Sequence, residues 1–184
     1  MSEVARMQQV MDEADCLHTR EAVEQALDTL AAAITQRLGE RNPLILCVMN
    51  GGLVVTGQLL PRLNFPLQAD YAHVSRYREE TTGGELEWKV HPQAELAGRT
   101  VLVVDDILDE GTTLQAIAEA CRVEGAREVL TAVLVEKHHE RKAEPHFEAD
   151  FVGLDAEDRY LFGYGMDYRG YWRNAPGIYA VRGL

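Results

Sequence analysis

Val101-Leu102-Val103-Val104-Asp105-Asp106-Ile107-Leu108-Asp109-Glu110-Gly111-Thr112-Thr113-Leu114 runs an unbroken apolar stretch into four carboxylates within six residues. Without the alternation of a half-exposed strand, Thr100 to Val104 fits a strand covered on both faces of a parallel sheet. Ligands of open α/β sheets lie beyond the carboxyl ends of the strands, so the acids stand where a site is expected. A helix from about Thr113 to Val123 follows, closed by Gly125. Before it, Gly111 permits unusual φ and close backbone approach, and Thr112 and Thr113 offer hydroxyls. The first-turn N–H groups of the helix point outward. Together these make a cradle for one phosphate. The acids ahead of it suit hydroxyls or Mg²⁺, so a sugar phosphate with its metal fits the combination.

The same grammar extends in both directions. Leu44 to Met49 is a second continuous apolar run, broken by Asn50-Gly51-Gly52 and followed by a helix from Leu53 to Leu60 near Pro61. Val129 to Val135 is a third, which completes two strand–helix–strand passes. Upstream, Thr19 is an N-cap candidate, Val23, Leu27, Leu30, Ile34 and Leu38 recur at helical spacing, and Gly39 supplies the stop. Gln68 to Tyr77 reads as a strand and Glu85 to Val90 as its return, with a polar hairpin tip or loop over Arg78 to Gly84. Beyond Val152 the chain is rich in aromatics and glycine, which suits short strands and loops. This order of elements makes the fold class α/β, a central parallel sheet flanked by helices.

Composition excludes several classes. At 184 residues, 46% hydrophobic and 26% charged, the chain suits one globular domain rather than a disordered or fibrous protein. No run of about 18 apolar residues is available to cross a membrane, and Met1 to Arg6 lacks the layout of a signal peptide. Cys16, Cys47 and Cys121 are odd in number and far apart, which suits reduced thiols in a cytoplasm. A net charge of −12 repels nucleic acid but leaves local backbone and metal sites open to small phosphorylated ligands. The P-loop pattern is absent. Gly163-Tyr164-Gly165 meets Tyr168 where a dinucleotide fingerprint needs its third glycine. His138, His139 and His146 have no cysteine or carboxylate spacing for structural zinc and read as a polar loop.

The 101–114 segment resembles the phosphoribosyl pyrophosphate-binding motif of type I phosphoribosyltransferases. Its flanks resemble the hypoxanthine–guanine phosphoribosyltransferase branch of that family. The resemblance spans roughly residues 44–180 and rests on five matches in order: Met49-Asn50-Gly51-Gly52, Ser75-Arg76-Tyr77, the acidic motif, Lys137, and Asp150-Phe151-Val152-Gly153 continuing to Asp167 and Arg173. It implies displacement of pyrophosphate from ribose C1 by a purine nitrogen, giving IMP or GMP from hypoxanthine or guanine, with Mg²⁺ as cofactor. It also implies a cytoplasmic homodimer or homotetramer. One domain over 1–184 is expected, with a core at about 19–149 and a small hood from about 1–18 and 150–184.

Residue by residue, the resemblance makes Asp109 the acid–base group. Asp105 and Asp106 would hold the ribose hydroxyls, directly or through metal, and Glu110, Gly111, Thr112 and Thr113 the 5′-phosphate. Asn50-Gly51 and Arg173 would contact pyrophosphate, with a cis peptide before Asn50. Ser75 and Tyr77 would belong to a flexible lid. Lys137 would donate to the 6-oxo group, Tyr160 would stack on the purine, the Leu161 backbone would read its edge, and Asp167 would be a metal-linked acid. Glu110 and Asn50 depart from the family pattern, which has small or hydroxyl and basic residues there. Without the resemblance, Lys137 reads as a strand-end lysine reaching for water. Ser75 and Tyr77 then read as surface residues and Tyr160 as core. Two alternatives stay open: a xanthine-preferring enzyme, and a regulator that senses phosphoribosyl pyrophosphate without catalysis.

Overall fold

The computed structural model describes residues 1–76, 86–139 and 147–183. Its main sheet has six strands in the order β4-β3-β2-β5-β6-β7. These are β2 (Leu44–Met49), β3 (Gln68–Arg76), β4 (Leu86–Val90), β5 (Thr100–Leu108), β6 (Glu128–His138) and β7 (Phe151–Glu157). All neighbours are parallel except β4, which returns antiparallel along β3.

The apolar runs are unbroken because both sheet faces are covered. Leu102 and Val104 of β5 join Leu130, Ala132 and Leu134 of β6 in one core with α2 (Arg20–Leu38) and α3 (Gly52–Leu59). Val101 and Val103 point the other way, with Val129 and Val133, into a second core under α4 (Thr112–Val123). Successive residues thus feed opposite layers, as the pleat dictates. In α2 the Thr19 side chain accepts from the Ala22 amide, Val23, Leu27, Leu30, Ile34 and Leu38 are all buried, and Gly39 is the C-cap. Each such apolar side chain contributes roughly 1.5–3 kcal/mol of burial.

Two strands outrun their apolar patterns. β5 continues through Asp105 and Asp106 to Leu108, and β6 to His138, because their ladder persists through Asp105↔Val133, Ile107↔Val135 and Leu108↔Glu136. The acids are therefore held on a strand rather than in a loop.

A second, three-stranded sheet has the order β1-β9-β8, from β1 (Asp15–His18), β8 (Leu161–Phe162) and β9 (Ile178–Ala180), all antiparallel. This corrects the hood boundary expected at residue 150. Phe151–Glu157 is the edge strand of the main sheet, in register with β6 from Ala132↔Phe151 to His138↔Glu157. Two local features hold it there. Asp150 accepts from the Thr131 amide at 2.8 Å, and Gly153 lies so close to β6 that a Cβ would sit 2.8 Å from the Leu134 carbonyl oxygen. The opening residues form α1 (Glu3–Glu13), capped by Ser2; buried Met7 on it accepts from Trp172 Nε1 at 2.8 Å. That bond ties the first helix to the loops around β8 and β9.

Candidate active site

At the carboxyl end of β5 the chain turns through Glu110 and Gly111 into α4. Gly111 is left-handed, with φ 85°, and packs against Leu108 and Phe147. The amides opening α4 lack intrahelical partners and carry the positive end of the helix dipole. They face a cavity of about 310 Å³ lined by Asp105, Asp106, Asp109, Glu110, Gly111, Thr112 and Thr113. A second cavity of about 270 Å³ is lined by Asp106, Asp109, Lys137, Tyr160, Leu161 and Asp167. Asp106, Ile107 and Asp109 border both. The strand end is thus a partition between a chamber that opens on helix amides and a chamber with one aromatic wall and one ammonium.

Asp109 is 45% exposed and accepts two hydrogen bonds: from Lys137 Nζ to Oδ2 at 3.1 Å, and from His139 Nε2 to Oδ1 at 2.6 Å. Burial pushes its carboxyl up, but the bonds and charges of His139 and Lys137 together outweigh this and hold it below the usual carboxylate range. Asp105 and Asp106 show the opposite. Burial, and then the charge of Asp106, push Asp105 well up; burial also raises Asp106, against bonding from Asp105 and the charge of Arg173. Two desolvated neighbouring carboxylates offer the hard oxygen donors that Mg²⁺ prefers, so this pair fits a divalent cation. Asp109, His139 and Asp158 also bring ligand atoms within 4.8 Å of one another. There, Lys137 Nζ lies 3.1 Å from Asp109 and 3.9 Å from Asp158, so an ammonium already supplies the positive charge.

Two backbone segments close on Asp106. The Met49–Asn50 peptide is cis, in keeping with the resemblance. A Cβ on Gly51 would stand 2.3 Å from Asp106 Oδ2, and one on Gly165 would stand 2.1 Å from the Gly51 carbonyl oxygen. Arg173 Nη1 donates to the Gly165 carbonyl, and Nη2 pairs with Asp167 Oδ1 at 2.5 Å. Asp167 also accepts from the Gly170 amide at 2.6 Å. Tyr164 Oη donates to Glu24 Oε1 at 2.6 Å, and Arg62 pairs with the same carboxylate, anchoring this loop to α2.

The residues singled out from sequence divide accordingly. Asp105, Asp106, Asp109, Glu110, Gly111, Thr112, Thr113, Lys137, Tyr160, Leu161 and Asp167 meet around the two cavities. Tyr160, 44% exposed, is braced edge-on by Tyr168 with ring centroids 5.5 Å apart. Asn50, Gly51 and Arg173 border neither cavity: Gly51 packs against Asp106, Arg173 pairs with Asp167, and Asn50 is exposed. Ser75 lies on β3, where its Oγ donates to Glu87 at 3.0 Å, away from both. Tyr77 and His146 fall outside the described residues. The expected polar histidine loop is only part of the picture, since His138 pairs with Asp155 at 2.7 Å while His139 reaches Asp109. Sequence reasoning gave no role to His139 or Asp158. The available signal was spacing: His139 lies two residues after Lys137, and alternate residues along an extended chain share a face.

A phosphoribosyl transferase domain model matches residues 13–168. The chain belongs to the phosphoribosyltransferase family. It is 31% identical over 163 residues to the hypoxanthine-guanine phosphoribosyltransferase of Bacillus subtilis strain 168, covering 88% of this chain and 89% of that one. It is 30% identical to the hypoxanthine-guanine-xanthine phosphoribosyltransferase of Tritrichomonas foetus, covering 88% of each. Among solved structures, a hypoxanthine phosphoribosyltransferase from Staphylococcus aureus superposes with a TM-score of 0.87 at 26% identity. That match covers 99% of this chain and 96% of the other. The enzyme is a transferase, and its fold is the mostly parallel sheet flanked by helices of these relatives. Among the described residues no helix is long and apolar enough to cross a membrane.

Proposed function

We propose that the enzyme transfers phosphoribose from phosphoribosyl pyrophosphate to hypoxanthine or guanine, making IMP or GMP and releasing pyrophosphate in purine salvage. The observation that carries this reading is the pair of cavities meeting at Asp106 and Asp109, one opening on helix amides and the other on Lys137 and Tyr160. The names of the Bacillus subtilis and Tritrichomonas foetus relatives support the purine class.

In this mechanism the 5′-phosphate sits on the residue 110–113 turn, where amides and dipole favour an anion. Glu110 is exposed, so its charge turns to water while the backbone binds. Asp105 and Asp106 hold the ribose hydroxyls and face the positive charge that grows on the sugar as the C1–O bond to pyrophosphate breaks. Asn50 and Gly51 back that site, and Arg173 lends its charge toward the leaving group. Tyr160 stacks on the purine, the Leu161 backbone reads its edge, and Lys137 Nζ donates to the 6-oxo group. As C1–N forms, Asp109 exchanges the imidazole proton. Asp105, Asp106 and, with them, Asp167 would hold Mg²⁺, which when bound neutralises pyrophosphate oxygens. A cytoplasmic homodimer or homotetramer belongs to the same proposal, and light scattering measures the assembly.

Adenine offers a 6-amino group where Lys137 needs an acceptor, so it gains no bond from that ammonium, which stays with Asp109. Pyrophosphate release with hypoxanthine, guanine, xanthine, adenine and uracil tests the reading. Turnover with the first two and none with adenine or uracil is expected. The xanthine-accepting relative from Tritrichomonas foetus makes xanthine turnover the second reading. No turnover with any base, alongside tight binding of phosphoribosyl pyrophosphate, would favour a sensing regulator instead.

A further inference from the structure

We propose that His139 is a positioning residue for the transfer: it holds Asp109 at the junction of the two cavities when substrate draws Lys137 away. This rests on Asp109 being the acid–base group. In the ligand-free enzyme Asp109 is held from two sides, Lys137 on Oδ2 and His139 on Oδ1. The two donors differ in what substrate does to them. Lys137 borders the base cavity and its ammonium is the donor for the 6-oxo group, so an incoming purine competes with Asp109 for it. His139 borders neither cavity and its side chain is only 5% exposed. Its bond therefore survives base binding. Without it, a 45%-exposed carboxylate relieved of Lys137 would turn toward water.

The bond also decides which oxygen works. His139 Nε2 carries the hydrogen it donates, so Oδ1 stays an acceptor throughout. The proton from the purine nitrogen then goes to Oδ2, the oxygen Lys137 vacates, and His139 keeps its own. Loss of the Lys137 bond at the same moment removes one of the two influences that hold the Asp109 carboxyl low, so its basicity rises as the proton arrives. Among the described residues, the charged groups beside this pair include Lys137 and Asp158; the latter is within 4.8 Å and near Lys137 as well. The strand ladder ends at His138↔Glu157, which leaves His139 just past the last paired residue. There its ring can reach across to the β5 tip.

The test compares His139→Ala, His139→Gln, Asp109→Asn and the Asp109→Asn/His139→Ala double variant, each checked by thermal unfolding, in steady-state assays with guanine. His139→Ala should lower kcat by about 10-fold, short of the ~10²-fold that a full 1 Å misplacement costs. The KM for phosphoribosyl pyrophosphate should stay within about twofold, because the phosphate turn is untouched. The acidic limb of the kcat–pH profile should move to higher pH. His139→Gln, whose amide donates from a similar reach, should recover most of the rate. In the Asp109→Asn background, removing His139 should cost nothing further, since it acts only through Asp109. His139→Ala at the wild-type rate, or losses that multiply in the double variant, would overturn this inference alone. Asp109→Asn at the wild-type rate would overturn the acid–base reading beneath it.

Discussion

Gly51→Ala separates the positioning of the site from the folding of the chain. Gly51 has φ −58° and ψ −51°, which any L-residue adopts, so the substitution adds no backbone strain. The new methyl would stand 2.3 Å from Asp106 Oδ2, 2.6 Å from Cγ and 2.8 Å from Oδ1, whereas ordinary contact begins at 3.4 Å. The carboxylate must retreat by about 1 Å. Because it is the end of a side chain, retreat is mild for stability: overpacking costs about 1–3 kcal/mol, partly offset by ~0.4–1 kcal/mol from the stiffer unfolded chain. Function is less forgiving. A 1 Å misplacement of a group that holds the ribose costs about 10²-fold, or ~2.7 kcal/mol of transition-state stabilisation. The assay is kcat/KM for phosphoribosyl pyrophosphate at saturating guanine, beside a thermal melt. A folded variant within about threefold of the parent would refute the placement of Asp106 against the ribose.

Two further outcomes follow from the same geometry. Lys137→Met should lower kcat/KM for guanine by about 10²-fold while leaving adenine unaffected, because it removes the donor for a 6-oxo group. It should not unfold the chain, since the partner it leaves behind, Asp109, is 45% exposed and water can solvate its oxygens; an unchanged guanine preference would exclude Lys137 from base reading. The raised carboxyls of Asp105 and Asp106 make a prediction about pH. An acid whose folded-state pKa lies above its unfolded value contributes stability that is complete below the unfolded value and lost as pH climbs through the folded one. A divalent cation on the pair offsets that loss, so excess Mg²⁺ should raise Tm more at about pH 8 than at about pH 5.5. An equal shift at both would place the cation elsewhere.

Much of this was legible in the sequence because the deciding signals were local. Thr19, five apolar residues at helical spacing and Gly39 mark out the nineteen-residue α2, and the double burial of β2 and β5 showed as unbroken apolar runs. The turn into α4 and the acids before it are contiguous from Asp105 to Thr113, so composition and order alone made them conspicuous. What escaped depends on tertiary pairing. The polar ends of β5 and β6 stay in the ladder because their neighbours do, not because of any apolar pattern. β7 joins the main sheet through Asp150 and Gly153, whose effects exist only against β6. His139 meets Asp109 across thirty residues of chain, and the close approach of Gly51 and Gly165 to Asp106 brings three distant segments to one point.

β9 is the middle strand of the small sheet, with β1 and β8 on its flanks, and Leu161 of the base cavity lies in register with Ala180. On the ribosome the large sheet's strands all emerge before residue 158, while the strand that completes the small one comes some twenty residues afterwards. The strands that line the first cavity are therefore synthesised before the strand that backs Leu161 of the second. The wall beside Leu161 thus depends on a strand synthesised after every strand that carries the first cavity.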